Sequence, residues 1–276
     1  MKTRVVYMAW AVSVVVFAGI ACTASSSVAQ ETVTPAIQND AFEVQPGARV
    51  TLNAERATVT VTRSPDNVVR IDSEIIDAAG INYYALPRTG LPTSHLDVSA
   101  KLRSSQNTTA SSKINLQVPE GITLEVRTTA GAIELEGLSL PEATLNTTDA
   151  SVTVRDASGR FNIRSVNGTL VMERFDGTVW AHADEAVTFD GTIRGSRSNR
   201  LNSTNGAIVV RMTDDSNVTA RITAEEGEIT TEGLADVRGS GNSVTGTAGA
   251  GEGTLEVKSD HGSVNVHFGA ESAVLQ

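Results

Sequence analysis

Oxygen-bearing and amide side chains recur in this sequence at one position of a short repeated pattern, directly before a small residue in a turn. Carboxylate and amide oxygens are ligands that Ca²⁺ prefers, so a column of them along one edge of a fold could bind calcium. The same side chains also hydrogen-bond nearby backbone and tolerate left-handed conformations. Because the sequence lacks the Gly-Gly-x-Gly-x-Asp calcium repeat, we predict turn chemistry and no metal site. The positions are Ala130, Asp149, Asn167, Asp184, Asn205, Glu226 and His261.

A second set of polar side chains follows the first apolar segment of each copy, at positions that alternation turns toward solvent. Trp180 stands beside this set, between Asn162 and Arg200 on the neighbouring copies. An exposed Trp among basic groups can anchor a partner or stack on a sugar ring. The alternative is that Trp180 turns inward and fills the core of an irregular copy. We predict a candidate interaction surface of Trp180, Arg164, His182 and Arg200. The full set is Arg127, Asn146, Arg164, His182, Asn202, Thr223 and Lys258.

The side chains of this sequence do not have the types and spacing of a catalytic site. A polysaccharide-active β-helix enzyme, the alternative to a binding protein, needs clustered carboxylates with Arg or Lys and aromatic platforms along a groove. Aromatic residues make up 4% of the chain, and the outward positions do not converge on a pair of acids. His261 and His267 are expected to be solvated near an end of the fold rather than to bind metal. We predict no enzyme and no cofactor.

A repeated unit must position these side chains. Each unit begins with two apolar residues two positions apart. A polar turn and a small residue follow, and then two more apolar residues two positions apart. Alternation with a period of two predicts strands, and a unit of about twenty residues suits one two-strand coil of a β-solenoid. One coil cannot bury its apolar side alone, so the coils must stack. We expect glycine at the small position because a tight turn often needs a positive φ. The small residues stand at positions 57, 131, 150, 168, 206, 227 and 262, with a weaker copy at 185.

The predicted fold class is all-β, a parallel β-helix or β-solenoid-like array of two-strand coils with an irregular, antiparallel-leaning N-terminal part. Regular repeats cover about residues 121–268. Residues 80–94 contain Pro87, Gly90 and Pro92 and predict a loop, and residues 238–253 predict a protruding loop. The repeat spacing places two sets of residues in facing buried columns. One holds Leu145, Ile163, Leu201 and Ile222, and the other holds Val152, Leu170, Val187, Ile208 and Ile229.

The N-terminus has the features of an export signal. Lys2 and Arg4 precede the apolar run 5–21, and Ser27-Val28-Ala29 offers a cleavage site. Gly19-Ile20-Ala21-Cys22 resembles a bacterial lipobox, in which the cysteine is lipidated, although leucine is usual where Gly19 stands. The signal is therefore 1–21 in a lipoprotein or 1–29 in a secreted protein. Residues 30–40 predict a tether, and residues 41–276 predict a single β-strand-repeat domain.

The charge balance limits the partners. The chain has 22 Lys plus Arg against 32 Asp plus Glu, a net charge of -10. This argues against nucleic acid or an anionic membrane surface as a partner, since both bind most strongly to clusters of Lys and Arg. No second apolar run is long enough to span a bilayer, so membrane attachment is predicted only through a lipid on Cys22. The expected partner is an unidentified envelope protein or glycan.

The chain resembles the bacterial adhesin-like β-strand-repeat domain family. The resemblance rests on Phe42-Glu43-Val44 with Pro46-Gly47, on the segment 57–61 and on stacked copies such as 128–135. It covers nearly all of the chain after the signal. The family consists of exported or envelope proteins, and it brings no established catalytic residues to carry over. The resemblance implies a noncatalytic exported envelope or cell-surface β-solenoid, used in adhesion or as a scaffold for protein or glycan interaction.

Overall fold

The computed structural model describes residues 35–88, 90, 92–105, 109–194 and 197–269, which form a nearly all-β fold. The N-terminal strands are β1 (Ala36–Ala54), β2 (Ala57–Arg63), β3 (Val68–Ile76), β4 (Ile81–Pro87), β5 (Thr93–Leu102) and β6 (Ser111–Val118). The central strands are β7 (Thr123–Thr128), β8 (Ile133–Glu136), β9 (Ser139–Thr147), β10 (Val152–Arg155), β11 (Ser158–Ser165), β12 (Leu170–Ala183), β13 (Val187–Ile193), β14 (Ser198–Ser203) and β15 (Ile208–Met212). The C-terminal strands are β16 (Val218–Ala224), β17 (Ile229–Glu232), β18 (Ala235–Ser240), β19 (Ser243–Ala248), β20 (Gly253–Ser259) and β21 (Val264–Phe268). A 3₁₀ turn at Ala78–Gly80 precedes β4.

The strands pair in two long parallel ladders that share one core. The first ladder runs in the spatial order β5, β1, β7, β9, β11, β12, β14, β20 and β16. The second runs in the order β6, β2, β8, β10, β12, β13, β15, β21 and β17. Strand β12 serves both ladders, because its beginning pairs with β13 and its end with β14. The predicted β-solenoid of two-strand coils is confirmed.

The core consists of columns of inward side chains. Ile163 pairs in register with Leu145 on one neighbouring strand and with Ala181 on the other, and all three are buried. The facing column contains Val152, Leu170, Val187 and Ile208, all buried, and ends at the partly buried Ile229. In the middle of the stack the core is filled by phenylalanines in edge-to-face contact. Ring centroids are 5.2 Å apart for Phe161 and Phe175, and 6.0 Å apart for Phe175 and Phe189.

The order of the coils in space differs from their order in the sequence at both ends. The coil β1–β2 lies between β5–β6 and β7–β8, so the first coil of the chain is the second in the stack. At the other end, the coil β20–β21 lies between β14–β15 and β16–β17. Leu201 and Ile222 both lie in the predicted buried column, and Val257 of β20 stands between them, because it pairs with both.

Antiparallel strands cover the outer coils. At the N-terminal end β4 pairs with β5, and β3 pairs with β6 and with the first part of β1. At the other end β19 pairs with β16 and β18 with β19. Residues 80–94 and 238–253, predicted as loops, thus contain paired strands. Likewise, residues 36–40 of the predicted tether belong to β1, where Ala36 pairs with Ile75. These antiparallel strands form hydrogen bonds with backbone N–H and C=O groups that the last parallel strands would otherwise expose.

The small residues of the repeat stack directly on one another, and the space between coils explains their size. A Cβ added to Gly168 would lie 2.1 Å from the carbonyl oxygen of Ala150, and one added to Gly262 would lie 2.2 Å from that of Gly206. Neither glycine has a positive φ. The expected reason, positive φ in a tight turn, is therefore wrong for these two positions. The backbones of successive turns approach so closely that a side chain does not fit.

A buried row of hydroxyl groups accompanies most of the small residues. Thr or Ser stands three positions before the small residues at 131, 150, 168, 206 and 262, whereas alanine stands there before those at 57 and 227. Ser165 Oγ donates a hydrogen bond of 2.6 Å to the Ala150 carbonyl, and Ser259 Oγ donates one of 3.0 Å to the Gly206 carbonyl. Ser259 Oγ also accepts the Gly262 N–H at 2.9 Å. The hydroxyls thus bond the backbone of one turn to that of the next and satisfy carbonyls inside the stack.

Replacing Ser165 by Ala is expected to lower the free energy of unfolding by about 1 kcal/mol, because the Ala150 carbonyl loses its hydroxyl donor in a buried place. Urea denaturation followed by circular dichroism measures the change. The same substitution at the exposed Ser198 of β14 serves as the control. Equal stability of the two variants would show that the hydroxyl row contributes nothing to stacking.

Candidate interaction surface

The outward side chains of the first ladder form one surface, which we call the Trp180 face. It comprises the solvent-facing residues of strands β5, β1, β7, β9, β11, β12, β14, β20 and β16. In register, Asn162 pairs with Trp180 and Trp180 with Arg200. One row away, Arg164 pairs with His182. The structure thus brings all four residues of the predicted surface onto one side of three adjacent strands.

Trp180 points away from the core. Its exposed fraction is 51%, while its neighbours in β12, Val179 and Ala181, are buried. The indole thus follows the alternation of the strand and points outward. The alternative interpretation, Trp180 as core filler, is wrong, since phenylalanines occupy the core at this level.

The guanidinium of Arg200 stacks on the Trp180 ring. Its Cζ lies 5.4 Å from the ring centroid, within the range of a cation–π contact. Arg200 is held from its other side by Glu256, with Nη2 and Oε2 2.6 Å apart. The carboxylate and the guanidinium together restrain the indole in one place. A restrained, exposed aromatic ring loses little entropy when a ligand packs on it.

A shallow groove of about 250 Å³ lies beside Trp180. Polar and charged side chains make up most of its lining, and two of them are the exposed guanidinium groups of Arg160 and Arg197. Within the part of the chain that the structure describes, neither guanidinium has a carboxylate partner. The other lining residues are Glu142, Phe161, Asn162, Thr178 and Ser198. The groove therefore offers an aromatic platform, two free cations and hydroxyl and amide groups within one site.

A second hollow, of about 380 Å³, lies where the strands of the same ladder end. Lys101, Arg127 and Arg164 line it together with Asn53 and Asn146. Arg127 is engaged by Glu125, with Nη2 and Oε1 2.6 Å apart. His182, in the next strand after Arg164, hydrogen-bonds Asp184 at 3.1 Å. Arg164 is exposed and has no carboxylate partner among the described residues.

Farther along the same row, Lys258 is bound between two carboxylates. Its Nζ lies 2.7 Å from Glu225 and 2.9 Å from Asp260. Hydrogen bonds to Glu225 and then to Asp260 raise the pKa of Lys258, which keeps its ammonium charged. Lys258 is therefore neutralised within the protein and is less available to a ligand than Arg160 or Arg164.

The acid and amide residues before the small positions contact one another along the turns. Asn167 Nδ2 donates a hydrogen bond of 2.8 Å to Asp149, and His261 lies 3.0 Å from Glu226 on the neighbouring coil. His267 pairs in the same way with Glu232 at 3.2 Å. Across the described ranges, no group of three or more His, Cys, Asp or Glu side chains is placed to hold a metal ion. These contacts join side chains of neighbouring coils rather than a side chain and its own turn. Asn167, with a φ of 52°, has the left-handed conformation expected of turn chemistry.

Two residues of the surface were missed at the level of sequence. Arg160 stands two positions before Asn162 in the same strand, so period-two alternation could have placed it on the Trp180 face. Arg197 stands just before β14, outside the repeated pattern, and the folded chain is needed to locate it. Cys22 and the predicted signal lie outside the described residues. In the described ranges no helix has the length and apolar character needed to cross a membrane.

The fold and the surface define a class of protein, a β-solenoid that presents one broad polar face with an exposed aromatic ring. The chain belongs to the Toastrack DUF4097 family, which it matches over residues 90–267. This confirms the resemblance to an adhesin-like β-strand-repeat family. A comparison with curated proteins gives no match.

A comparison with solved structures gives matches from several bacteria. A candidate cell adhesion protein of Clostridium sporogenes is 16% identical, with 84% of this chain and 100% of that chain covered and a TM-score of 0.36. A candidate adhesin of Bacteroides fragilis is 12% identical, with 84% and 97% covered and a TM-score of 0.39. A candidate lipid binding protein of Parabacteroides distasonis is 11% identical, with 86% and 95% covered and a TM-score of 0.30.

Proposed function

We propose that this chain is a noncatalytic, exported protein of the cell envelope or cell surface, whose Trp180 face is a contact surface for an envelope protein or glycan. The observation that carries the proposal is the indole of Trp180, 51% exposed and restrained by Arg200 and Glu256. An exposed Trp costs free energy in water and is a preferred anchor in interfaces.

The carboxylates of this face favour binding over glycoside hydrolysis. Glu125 is engaged by Arg127 at 2.6 Å, and Glu256 by Arg200 at 2.6 Å. A glycosidase needs two carboxylates facing each other across the bond that breaks, one of them able to donate a proton. Glu125 and Glu256 are each occupied by a guanidinium group, so neither is free to face a second carboxylate across a substrate. Glu125 and Glu256 therefore suit a binding role.

The proposal is tested by retention of the exported, biotinylated protein on isolated bacterial envelopes. We expect Trp180→Ala to reduce retention about tenfold, whereas Val209→Ala, at an outward apolar position of the second ladder, leaves it unchanged. A parallel incubation with a panel of polysaccharides measures new reducing ends. Equal retention of both variants would contradict a contact role of the face, and chain cleavage would favour the enzyme instead.

Export with a lipid anchor at Cys22 is part of the same proposal. Replacing Cys22 by Ala is expected to move the protein from the membrane fraction to the soluble fraction. Acyl chains contribute about 0.8 kcal/mol per buried methylene, so their loss removes the membrane affinity that the lipid supplies. Clickable fatty-acid labelling and fractionation measure both effects. A wild-type N-terminus at Gln30 would show that the protein is secreted without a lipid.

A further inference from the structure

The Trp180 face is positively charged in a chain that is otherwise acidic. In the rows that pair in the first ladder, eight outward residues are basic and five are acidic, while the whole chain carries a net charge of -10. The basic residues are Arg49, Lys101, Arg127, Arg160, Arg164, Arg200, Arg221 and Lys258. The acidic residues are Asp97, Glu125, Glu142, Asp176 and Glu256. A local excess of three positive charges attracts an anionic partner to this face and away from the rest of the surface.

Two of the free cations of this face lie in the strand beside Trp180, and the other two among the described residues, Lys101 and Arg221, lie in the outermost strands β5 and β16. Glu125 engages Arg127, Glu256 engages Arg200, and Lys258 lies between two acids. Among the described residues, Arg160 and Arg164 have no such partner. Both belong to β11, on the same side, with Asn162 between them. Four residues of a strand span about 13 Å, so the two guanidinium-bearing positions are separated by about that distance.

The indole lies on the strand beside the midpoint of these two positions, since Trp180 pairs in register with Asn162. A ligand that reaches both guanidinium groups must therefore pass over or beside the ring. Such a ligand carries negative groups about 13 Å apart, with a part between them that packs on an aromatic face. A single sugar ring is too small to bridge both cations.

The chemistry of the lining distinguishes the ligand classes. Guanidinium groups bind carboxylates and sulfates through two parallel hydrogen bonds, and the Asn, Thr and Ser side chains here suit sugar hydroxyls. A protein partner would bury a central apolar patch, whereas the described part of this face has a single exposed aromatic ring. Single-stranded nucleic acid would stack successive bases on several aromatic rings.

We propose that the Trp180 face binds an anionic polysaccharide, with Trp180 packing on a sugar ring and Arg160 and Arg164 binding acidic groups on either side of it. The inference rests on the proposed function of this face and adds the class of ligand. The carboxylate or sulfate on the sugar is the feature that is recognised.

Binding of the exported protein to three polymers tests the inference by isothermal titration calorimetry. Polygalacturonate carries carboxylates, dextran sulfate carries sulfates, and dextran carries no charge. We expect binding to one or both charged polymers and none to dextran. Trp180→Ala and the double variant Arg160→Gln, Arg164→Gln should each weaken it about tenfold. Arg211→Gln, at an exposed outward position of the second ladder, removes the same kind of charge and should leave binding unchanged.

The outcomes separate the ligand class from the function of the face. Binding to polygalacturonate and dextran sulfate that is equal in all variants would overturn the inference, because the attraction would then be unspecific. Binding to dextran at the same strength would also overturn it. If no polymer binds while Trp180→Ala still reduces retention on envelopes, the ligand class is wrong and the contact function holds. If both measurements are unaffected by Trp180→Ala, the contact function fails as well.

Discussion

Replacing Ile163 by Asp is expected to abolish the cooperative folding of the solenoid. The side chain is 1% exposed and lies in register between the buried Leu145 and Ala181, so a new carboxylate would lie among apolar side chains. Burying an unpaired carboxyl group costs on the order of 4 kcal/mol or more. Domains have total stabilities of about 5–15 kcal/mol, so this single change removes a large part of the available stability. Circular dichroism during urea unfolding measures the loss.

The neighbouring position supplies a matched control for this change. Asn162→Asp introduces the same carboxylate one residue away, on the exposed side of the same strand. Its free energy of unfolding should stay within about 0.5 kcal/mol of the wild type. A wild-type urea midpoint for Ile163→Asp would mean that Ile163 is not in the core and that the assignment of the buried column is wrong.

Much of the stack could be predicted because its repeats have a constant internal spacing. The second apolar residue stands five positions before the small residue in most copies, which fixes the register of one coil on the next. Leu145, Ile163 and Leu201 were placed in one buried column for this reason. The same spacing placed Trp180 between Asn162 and Arg200.

The order of the outer coils could not be predicted from the same pattern. Alternation specifies which side chains a coil buries. It does not specify which coil comes next, because either Val257 or Ile222 could pack beside Leu201 in the buried column. What decides between them is the hairpin of β18 and β19, which occupies the outer edge of β16. The chain after this hairpin can then pair only with the inner edge of β16. Strands β18 and β19 could not be recognised in the sequence, because the Gly, Ser and Thr residues in which they are rich are also typical of loops.

The sequence predicted which strands carry the candidate surface, but it left open whether Trp180 points outward and it missed Arg160 and Arg197. Whether Trp180 turned outward depended on what filled the core of an irregular coil, and the answer lies in contacts among Phe161, Phe175 and Phe189. These three phenylalanines stand 14 positions apart, a spacing that does not match the repeat of about twenty residues, so their packing is a property of the folded stack. The engagement of Arg200 by Glu256 was equally hidden, since the two residues are 56 positions apart.

Replacing Gly168 by Ala is expected to destabilise the protein by about 3 kcal/mol, although Ala is the smallest possible addition. The new Cβ would lie 2.1 Å from the Ala150 carbonyl oxygen and 2.7 Å from Ser165 Oγ. The carbonyl belongs to the backbone, and the hydroxyl already donates to that same carbonyl, so neither can move without disturbing the stack. Thermal and urea unfolding should both shift to lower midpoints.

The comparison with Gly90→Ala isolates the effect of the close approach. Gly90 has no positive φ and no atom within 4 Å of an added Cβ, so the substitution changes the chain entropy but meets no neighbour. It should be neutral or slightly stabilising, by up to about 1 kcal/mol. Because Gly168 also has an ordinary φ, any further difference between the two variants measures the steric conflict between coils. Equal stabilities would mean that successive turns separate at little cost, and the small residues of the repeat would then need another explanation.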